Sequence, residues 1–369
     1  MFKLYQEMQT SKDLHKTPPV FGQLSFDNHE EVVFFNDKET GLKAIVGIHN
    51  SVLGPALGGT RMWNYKTEWE ALNDVLRLSR GMTYKAAVSG LNQGGGKAVI
   101  IGDSKTQKTD VFMRKFGEFI HSLGGKYLTA EDMGMETRDM DIIREVTPYV
   151  TGISESKGGS GNPSPFTALG VYMGMKGAAK HQFGTDNLAG KKILVQGIGH
   201  VGEILVDYLS KEGAIITIND IDEQALEHIS KKYNTKIQRG SDIYGLDVDI
   251  YAPCAMGATL NDYSISQLKA KVIVGAANNQ LENENIHAKF LQKKGIIYAP
   301  DFLVNAGGII NIYREVANMT KAEAVTRTEN IYHTTQEILQ KAESQNISTH
   351  KAAFDMAQNR IDQRKLENK

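Results

Sequence analysis

The run Ile193-Leu194-Val195-Gln196-Gly197-Ile198-Gly199-His200-Val201-Gly202 constrains this chain more than any other stretch. A short apolar strand pattern leads directly into G-x-G-x-x-G. A helical pattern, Val201 to Leu209, starts just before the last of these glycines and stops at Gly213. A second strand, Ala214 to Ile218, ends in Asn219-Asp220, which puts an acid about 20 residues beyond Gly197. Three glycines alone would fit any strand-to-helix turn. Between a strand and a helix, with the acid in place, they form a dinucleotide-binding fingerprint.

Each part has a physical task. Gly197 permits the tight turn, Gly199 lets a pyrophosphate approach the backbone, and Gly202 lets the helix pack close to its strand. The helix N-terminus supplies N–H groups and a positive dipole end to phosphate. Asp220 accepts hydrogen bonds from ribose hydroxyls and repels a 2′-phosphate, which favours NAD over NADP. The expected cofactor residues are Gly197, Ile198, Gly199, His200, Val201, Gly202, Asp220 and Ile221. His200 reads as a phosphate-proximal or solvated side chain rather than a catalyst.

The pattern continues with strands at Val248–Ala252, Val272–Ala276 and Ile296–Ala299. They end in Pro253-Cys254-Ala255, Ala277-Asn278-Asn279 and Pro300-Asp301, and parallel strands bring such ends to one crevice. Ala255 and Asn278 are therefore added to the cofactor set. Cys254 could be a nucleophile or a small packing residue. No histidine lies near it in sequence, which favours packing. The fold class is α/β, with a Rossmann-type doubly wound domain assigned to residues 151–344.

The length, 369 residues, suggests a second domain, assigned to residues 1–150. Glu31–Phe35 and Leu42–Ile48 read as a hairpin, and Leu53 to Arg61 as a break in regular structure. Thr67 and Glu70 have capping-box spacing. Leu72, Val75, Leu76, Ser79 and Met82 then share one helical face, which points Lys85 toward the core. Gly94-Gly95-Gly96 follows, then Lys97 and the apolar run Ala98–Ile101. Lys97 is either a solvated lysine after a glycine turn or a desolvated one at the mouth of a buried strand. In the second case its pKa falls and it suits a general base. Phe112–Leu123 reads as a helix stopped by Gly124-Gly125. After the strand Tyr127–Ala130, Asp132 is either a cap or turn aspartate or a functional acid at a strand end. Residues 151–166, rich in glycine, read as a hinge and binding loop. The tail from about 345 to 369 is expected to pack back on the first domain.

Composition narrows the function classes. The formal net charge is −1, so no strong field favours nucleic acid or membrane. One cysteine, Cys254, excludes an internal disulfide and fits a reducing cytoplasm. No signal-like apolar region and no membrane-length apolar run are present, and no metal-ligand cluster stands out.

The segments GPALGGTRMW, GMTYK, GLNQGGGK, TAED, SGNPSP, IYAPCA, ANNQL and NAGG occur in that order. Together they resemble the amino-acid dehydrogenases of the glutamate/leucine/phenylalanine/valine family, from about Val32 to about Tyr332. The resemblance implies an N-terminal α/β substrate and oligomerisation domain before the NAD-binding domain. It implies oxidative deamination of an L-amino acid to a 2-oxo acid and ammonia with NAD⁺, by a cytoplasmic homo-oligomer, an octamer being the suggested stoichiometry. By this resemblance Lys97 matches the catalytic lysine and Lys85 the lysine that holds the substrate carboxylate. Asp132 matches the aspartate that exchanges protons with the amino group. Asn279, beside Asn278, matches the asparagine near substrate and nicotinamide. Thr151 and Thr167 fall in segments bordering the nicotinamide. The segment with Leu57, Gly58 and Gly59 borders the substrate, and glutamate-specific members carry a lysine where Leu57 stands and a serine where Ile312 stands. An apolar pocket from Leu57, Met82, Ile309 and Ile312 then favours a branched aliphatic side chain. A phenylalanine enzyme, or an NAD-binding sensor without activity, is the competing reading. Gly96 and Gly202-Glu203 depart from the family's commoner residues.

Overall fold

The computed structural model describes residues 20–22 and 25–368. The first half is built on a five-stranded sheet in the order β1-β2-β4-β3-β5. Its strands are β1 (Glu31–Asn36), β2 (Lys43–Asn50), β3 (Ala56–Trp63), β4 (Gly94–Ile101) and β5 (Tyr127–Glu131). The expected hairpin is present, with β1 antiparallel to β2. β4 pairs antiparallel with β2 and parallel with β3, and β3 pairs parallel with β5.

Helix α1 (Glu68–Val88) covers one face and α2 (Asp110–Ser122) the other. Ile45 and Val99 pack with Ala71, Leu72, Val75 and Leu76 of α1. Their strand neighbours Ala44, Val46, Ala98 and Ile100 pack with Phe112, Met113, Phe116 and Ile120 of α2. Strands covered on both faces read as continuous apolar runs, which explains why Ala98–Ile101 was legible. Thr67 caps α1 through Glu70 N–H at 3.1 Å. The reciprocal half of the box is not made, because the Glu70 carboxylate accepts from Lys66 N–H at 2.9 Å instead.

The break expected at Leu53–Arg61 is a strand, β3, between β4 and β5. Its glycines mark close approach of backbones, not a turn. A Cβ on Gly58 would lie 1.8 Å from the Gly96 carbonyl, and one on Gly59 2.5 Å from the Glu131 carbonyl. The same correction applies to Gly94-Gly95-Gly96, which are part of β4. A Cβ on Gly95 would lie 2.1 Å from Thr83 N in α1, and one on Gly96 2.7 Å from the Tyr127 ring. These glycines let a helix and neighbouring strands close on β4, and they put Lys97 in mid-strand rather than at its mouth.

After α3 (Thr137–Arg144), residues 151–163 lead into α4 (Ser164–Phe183), a long helix that the glycine-rich reading of this region did not anticipate. The second sheet follows. Its order is β11-β10-β9-β6-β7-β8, and its pairs are all parallel. The strands are β6 (Lys192–Gln196), β7 (Ile215–Asn219), β8 (Lys236–Ile237), β9 (Ile250–Pro253), β10 (Val272–Ile273) and β11 (Ile297–Tyr298). Helices α5 (His200–Glu212), α6 (Glu223–Tyr233), α7 (Asp262–Gln267) and α8 (Glu284–Lys293) connect them, and α9 (Asp301–Val304) follows β11. The chain turns back between β6 and β9, and this switch point is where a doubly wound sheet opens its crevice. The expected two-domain α/β fold is thus the observed one.

Helices α10 (Gly307–Ala317), α11 (Lys321–Glu329), α12 (Ile331–Gln345) and α13 (Thr349–Glu367) complete the chain. α13 lies against α1. Phe354 stacks on Tyr84 with ring centroids 4.0 Å apart, and Arg360 donates to the Ala87 and Leu91 carbonyls at 3.3 and 2.7 Å. No helix among the described residues is long and apolar enough to cross a membrane.

Candidate active site

A cavity of about 240 Å³ opens where the two sheets face each other. From the first half it is lined by Leu57, Gly59, Arg61, Met82, Lys85, Lys97, Ala130 and Asp132. From the second half it is lined by Thr167, Asn278, Asn279, Asp301, Asn305, Ile309 and Ile312. The candidate catalytic and substrate residues therefore converge on one place, with one exception. Gly58 does not line the cavity. It faces β4, and its carbonyl accepts a hydrogen bond from Tyr127 Oη at 2.5 Å. Thr151 does not line it either, because its hydroxyl is spent on the Thr129 carbonyl at 3.1 Å.

Lys97 is 5% exposed. Its Nζ lies 2.5 Å from Asp132 Oδ2, and Arg61 Nε lies 3.2 Å from the same oxygen. Arg61 is held in turn by Asp74 at 2.9 Å. Burial pushes the Lys97 pKa down, with Asp132 opposing. Burial alone would raise the Asp132 carboxyl, but Lys97 and Arg61 outweigh it and hold it at about 2. Asp132 is therefore held as an anion as long as both Lys97 and Arg61 pair with it.

Lys85 stands in the last turn of α1. Its Nζ donates to Asn278 Oδ1 at 3.3 Å, and that oxygen also accepts from Asn305 Nδ2 at 2.7 Å. Among the described residues Lys85 has no carboxylate partner. Burial, with the charge of Lys97 adding to it, lowers its pKa to about 8 against the opposing pull of Asp301 and Asp132. By the resemblance Lys85 holds the substrate carboxylate, and Lys97, as the catalytic lysine, must be able to lose its proton. Here Lys97 holds the compensating anion, and Lys85, half-buried, has none among the described residues. A carboxylate entering beside Lys85 would supply it.

Leu57, Met82, Ile309 and Ile312 form the apolar end of the cavity. Leu57 comes from β3 and the two isoleucines from α10. Asn279 holds a left-handed backbone with φ 52°, which asparagine tolerates better than most residues. Thr167 sits in the first turn of α4, with its hydroxyl donating to the Pro163 carbonyl at 3.1 Å.

The fingerprint takes the geometry its composition implied. Gly197 has φ 91°, and a Cβ there would lie 2.6 Å from Ala255 N. A Cβ on Gly202 would lie 2.0 Å from the Gly197 carbonyl, so only glycine lets α5 sit so close. Gly199 differs, because a Cβ there meets nothing within 4 Å. The open space before the first N–H groups of α5, beside exposed His200 and Ala255, suits a pyrophosphate. Asp220 Oδ2 accepts from Ile198 N–H at 2.8 Å, which ties the glycine loop to the end of β7, and Ile221 beside it is fully exposed. The residues present fit NAD. Cys254 accepts a long contact from Ala276 N–H at 3.5 Å, and burial pushes its thiol up to about 11. Packing is its role here.

Sequence reasoning missed Arg61, Asp301 and Asn305. Arg61 lies in the segment read as a break, and Asp301 and Asn305 were quoted only as parts of strand-end and NAGG segments. Strong signals were absent because their parts depend on partners distant in sequence.

The Glu/Leu/Phe/Val dehydrogenase dimerisation domain matches residues 29–149, and the Glutamate/Leucine/Phenylalanine/Valine dehydrogenase domain matches residues 218–368. The chain is 50% identical to a leucine dehydrogenase of Bacillus cereus over 345 residues, covering 94% of each.

The chain belongs to the Glu/Leu/Phe/Val dehydrogenase family.

Other members of the family resemble it nearly as strongly. A phenylalanine dehydrogenase of Caldalkalibacillus thermarum is 45% identical over 93% of this chain and 94% of its own length. The crystal structure of an L-tryptophan dehydrogenase from Nostoc punctiforme matches with TM-score 0.80 and 41% identity, covering 92% of this chain and 97% of that one. The family's amino-acid dehydrogenases are oxidoreductases acting on a CH–NH₂ group.

Proposed function

We propose that this enzyme catalyses the reversible NAD-dependent oxidative deamination of branched-chain L-amino acids, with leucine the best substrate. The carrying observation is Lys85, a half-buried cation with no carboxylate partner among the described residues, which lines one cavity with Lys97, Asp132 and the apolar Leu57, Met82, Ile309 and Ile312.

A leucine fits this arrangement group by group. Its α-carboxylate pairs with Lys85, which raises the lysine's pKa and fixes it as a cation. Its ammonium competes with Lys97 for Asp132, and Asp132 exchanges protons with it as it becomes an amine. Lys97, released in a site where burial disfavours its charge, gives its proton to solvent, and the neutral amine then takes a proton from water as that water attacks the imine carbon. Protonated again, Lys97 stabilises the developing oxygen. When bound, NAD⁺ accepts the hydride that leaves the α-carbon. Asp220 and the open face of Gly199 support NAD as the cofactor.

The apolar end excludes glutamate. A γ-carboxylate left unpaired among Leu57, Met82, Ile309 and Ile312 would cost about several kcal/mol. Valine and isoleucine differ from leucine by about one methylene or its placement, roughly 1–3 kcal/mol, so they are slower substrates rather than excluded ones. The 50% identity to a leucine dehydrogenase favours leucine over the aromatic substrates of the phenylalanine and tryptophan relatives. The enzyme acts in the cytoplasm as a homo-oligomer, an octamer by the family resemblance.

The deciding experiment is a kcat/KM panel with NAD⁺ and leucine, valine, isoleucine, phenylalanine and tryptophan. Leucine should lead. A lead for either aromatic would reassign the substrate, and NADH binding without turnover of any amino acid would make the protein a sensor.

A further inference from the structure

Glu315 lies outside the cavity, and nothing in the chemistry above uses it. Its Oε1 accepts two backbone hydrogen bonds, from Gly152 N–H at 2.9 Å and from Ser160 N–H at 2.6 Å. One oxygen thus closes both ends of the segment joining the two halves. Its neighbours on the same helix add to the grip. Asn311 Nδ2 donates to the Ser160 carbonyl and Arg314 Nη2 to the Gly159 carbonyl, both at 3.1 Å.

The positions of the two ends give this clamp a meaning. Just before Gly152, Thr151 N–H donates to the Thr129 carbonyl at 2.8 Å, and Thr129 lies in β5, which delivers Asp132. Just after Ser160, the segment reaches Pro163 and Thr167 on the cavity wall. The helix carrying Glu315 is α10, which also presents Ile309 and Ile312 to the substrate side chain. The apolar wall and the linker are therefore tied together by Glu315, with Asn311 and Arg314 beside it on the same helix. The linker itself includes glycines at positive φ, Gly152 (74°), Gly158 (84°) and Gly161 (62°), so its backbone alone does not hold one shape.

We propose that Glu315 is a positioning residue for the reaction: by clamping Gly152 and Ser160 it sets the distance between the apolar wall on α10 and the Lys85, Lys97 and Asp132 groups of the first domain. The proposal rests on the amino-acid dehydrogenase reading. A fixed separation matters because misplacing reacting groups by about 1 Å can cost about a hundredfold in rate. The interaction is an acceptor function, not a charge function, since both partners are neutral N–H groups.

The test compares Glu315→Ala with Glu315→Gln in the full chain. Glutamine keeps a carbonyl oxygen where Oε1 stands, and alanine removes it. In Glu315→Ala, hydrogen exchange at Gly152 and Ser160 should be faster by about tenfold or more. Its kcat/KM for leucine should fall by about tenfold, mainly through KM, with the NADH Kd within about twofold of the parent. Glu315→Gln should restore both exchange protection and kcat/KM. The proposal is overturned if exchange or kcat/KM is unchanged in Glu315→Ala. It is equally overturned if NADH affinity falls in parallel, or if the glutamine variant is as damaged as the alanine one. If the parent does not oxidise leucine, the functional reading fails, while the exchange arm still reports on the clamp.

Discussion

Lys97 Nζ and Asp132 Oδ2 meet at 2.5 Å although 35 positions separate them in the chain. They meet because β3 runs between their strands without side chains at Gly58 and Gly59. A Cβ on Gly59 would stand 2.9 Å from the Asp132 Cβ. The central ion pair of the site thus depends on a residue that contributes nothing to it chemically.

Gly59→Ala should therefore displace Asp132 and lower kcat, with some loss of Tm. Gly199→Ala should do the reverse. Its added Cβ meets no protein atom within 4 Å, so Tm should hold while NADH binding weakens. Thermal unfolding and NADH fluorescence titration on both variants check the contrast. Normal NADH affinity in Gly199→Ala would mean that the pyrophosphate lies elsewhere.

Lys97→Ala should lower kcat by about 10²–10⁴-fold, the usual contribution of a positioned acid–base group, and leave NADH affinity intact. The pair of measurements separates chemistry from cofactor binding. A kcat near that of the parent would remove Lys97 from the mechanism.

Lys85 gives a pH dependence with a definite sign. Its pKa of about 8 keeps it charged below that pH and neutral above. Affinity for 4-methyl-2-oxopentanoate, whose own charge is constant in this range, should hold below pH 8. Above it, Kd should rise by about tenfold per pH unit. Lys85→Arg carries a cation that does not titrate there and should flatten the curve. Titration of the NADH complex with the oxo acid from pH 7 to 10 reads both.

His49 predicts acid sensitivity. It is 6% exposed, with Nδ1 2.8 Å from Thr83 Oγ1 in α1 and its ring 4.8 Å from that of His29. Burial, and then the neighbouring His29, lower its pKa to about 4. Its folded pKa lies below the ordinary value, so the unfolded chain binds the proton first. Stability is complete above about pH 6.5 and is lost as pH falls toward 4, by about 3 kcal/mol for this one group. Chemical denaturation at pH 7 and pH 5 should show the loss, and His49→Gln should reduce it.

The nucleotide half was legible because its information is local. Strand, glycines, helix and Asp220 follow within one short unit, and each glycine's task depends on neighbours a few residues away. Lys85 was legible for a similar reason, since helical periodicity from Leu72 to Met82 points at it. Gly58, Gly59 and Gly94–Gly96 were misread because a glycine that admits a neighbouring backbone looks, in sequence, like one that makes a turn. Only the strand order tells them apart. The same holds for the lysines: which of them holds an anion depends on Asp132, Arg61 and Asn278, contributed by three separate strand or loop ends.

The return of α13 to α1 has a mechanical consequence. The polypeptide passes between the two halves twice, once through residues 151–163 and again near 346–348, where α12 gives way to α13. A single covalent crossing would act as a ball joint and leave three rotations free. A second crossing removes some of those freedoms, so residues 151–163 alone do not set how the halves meet.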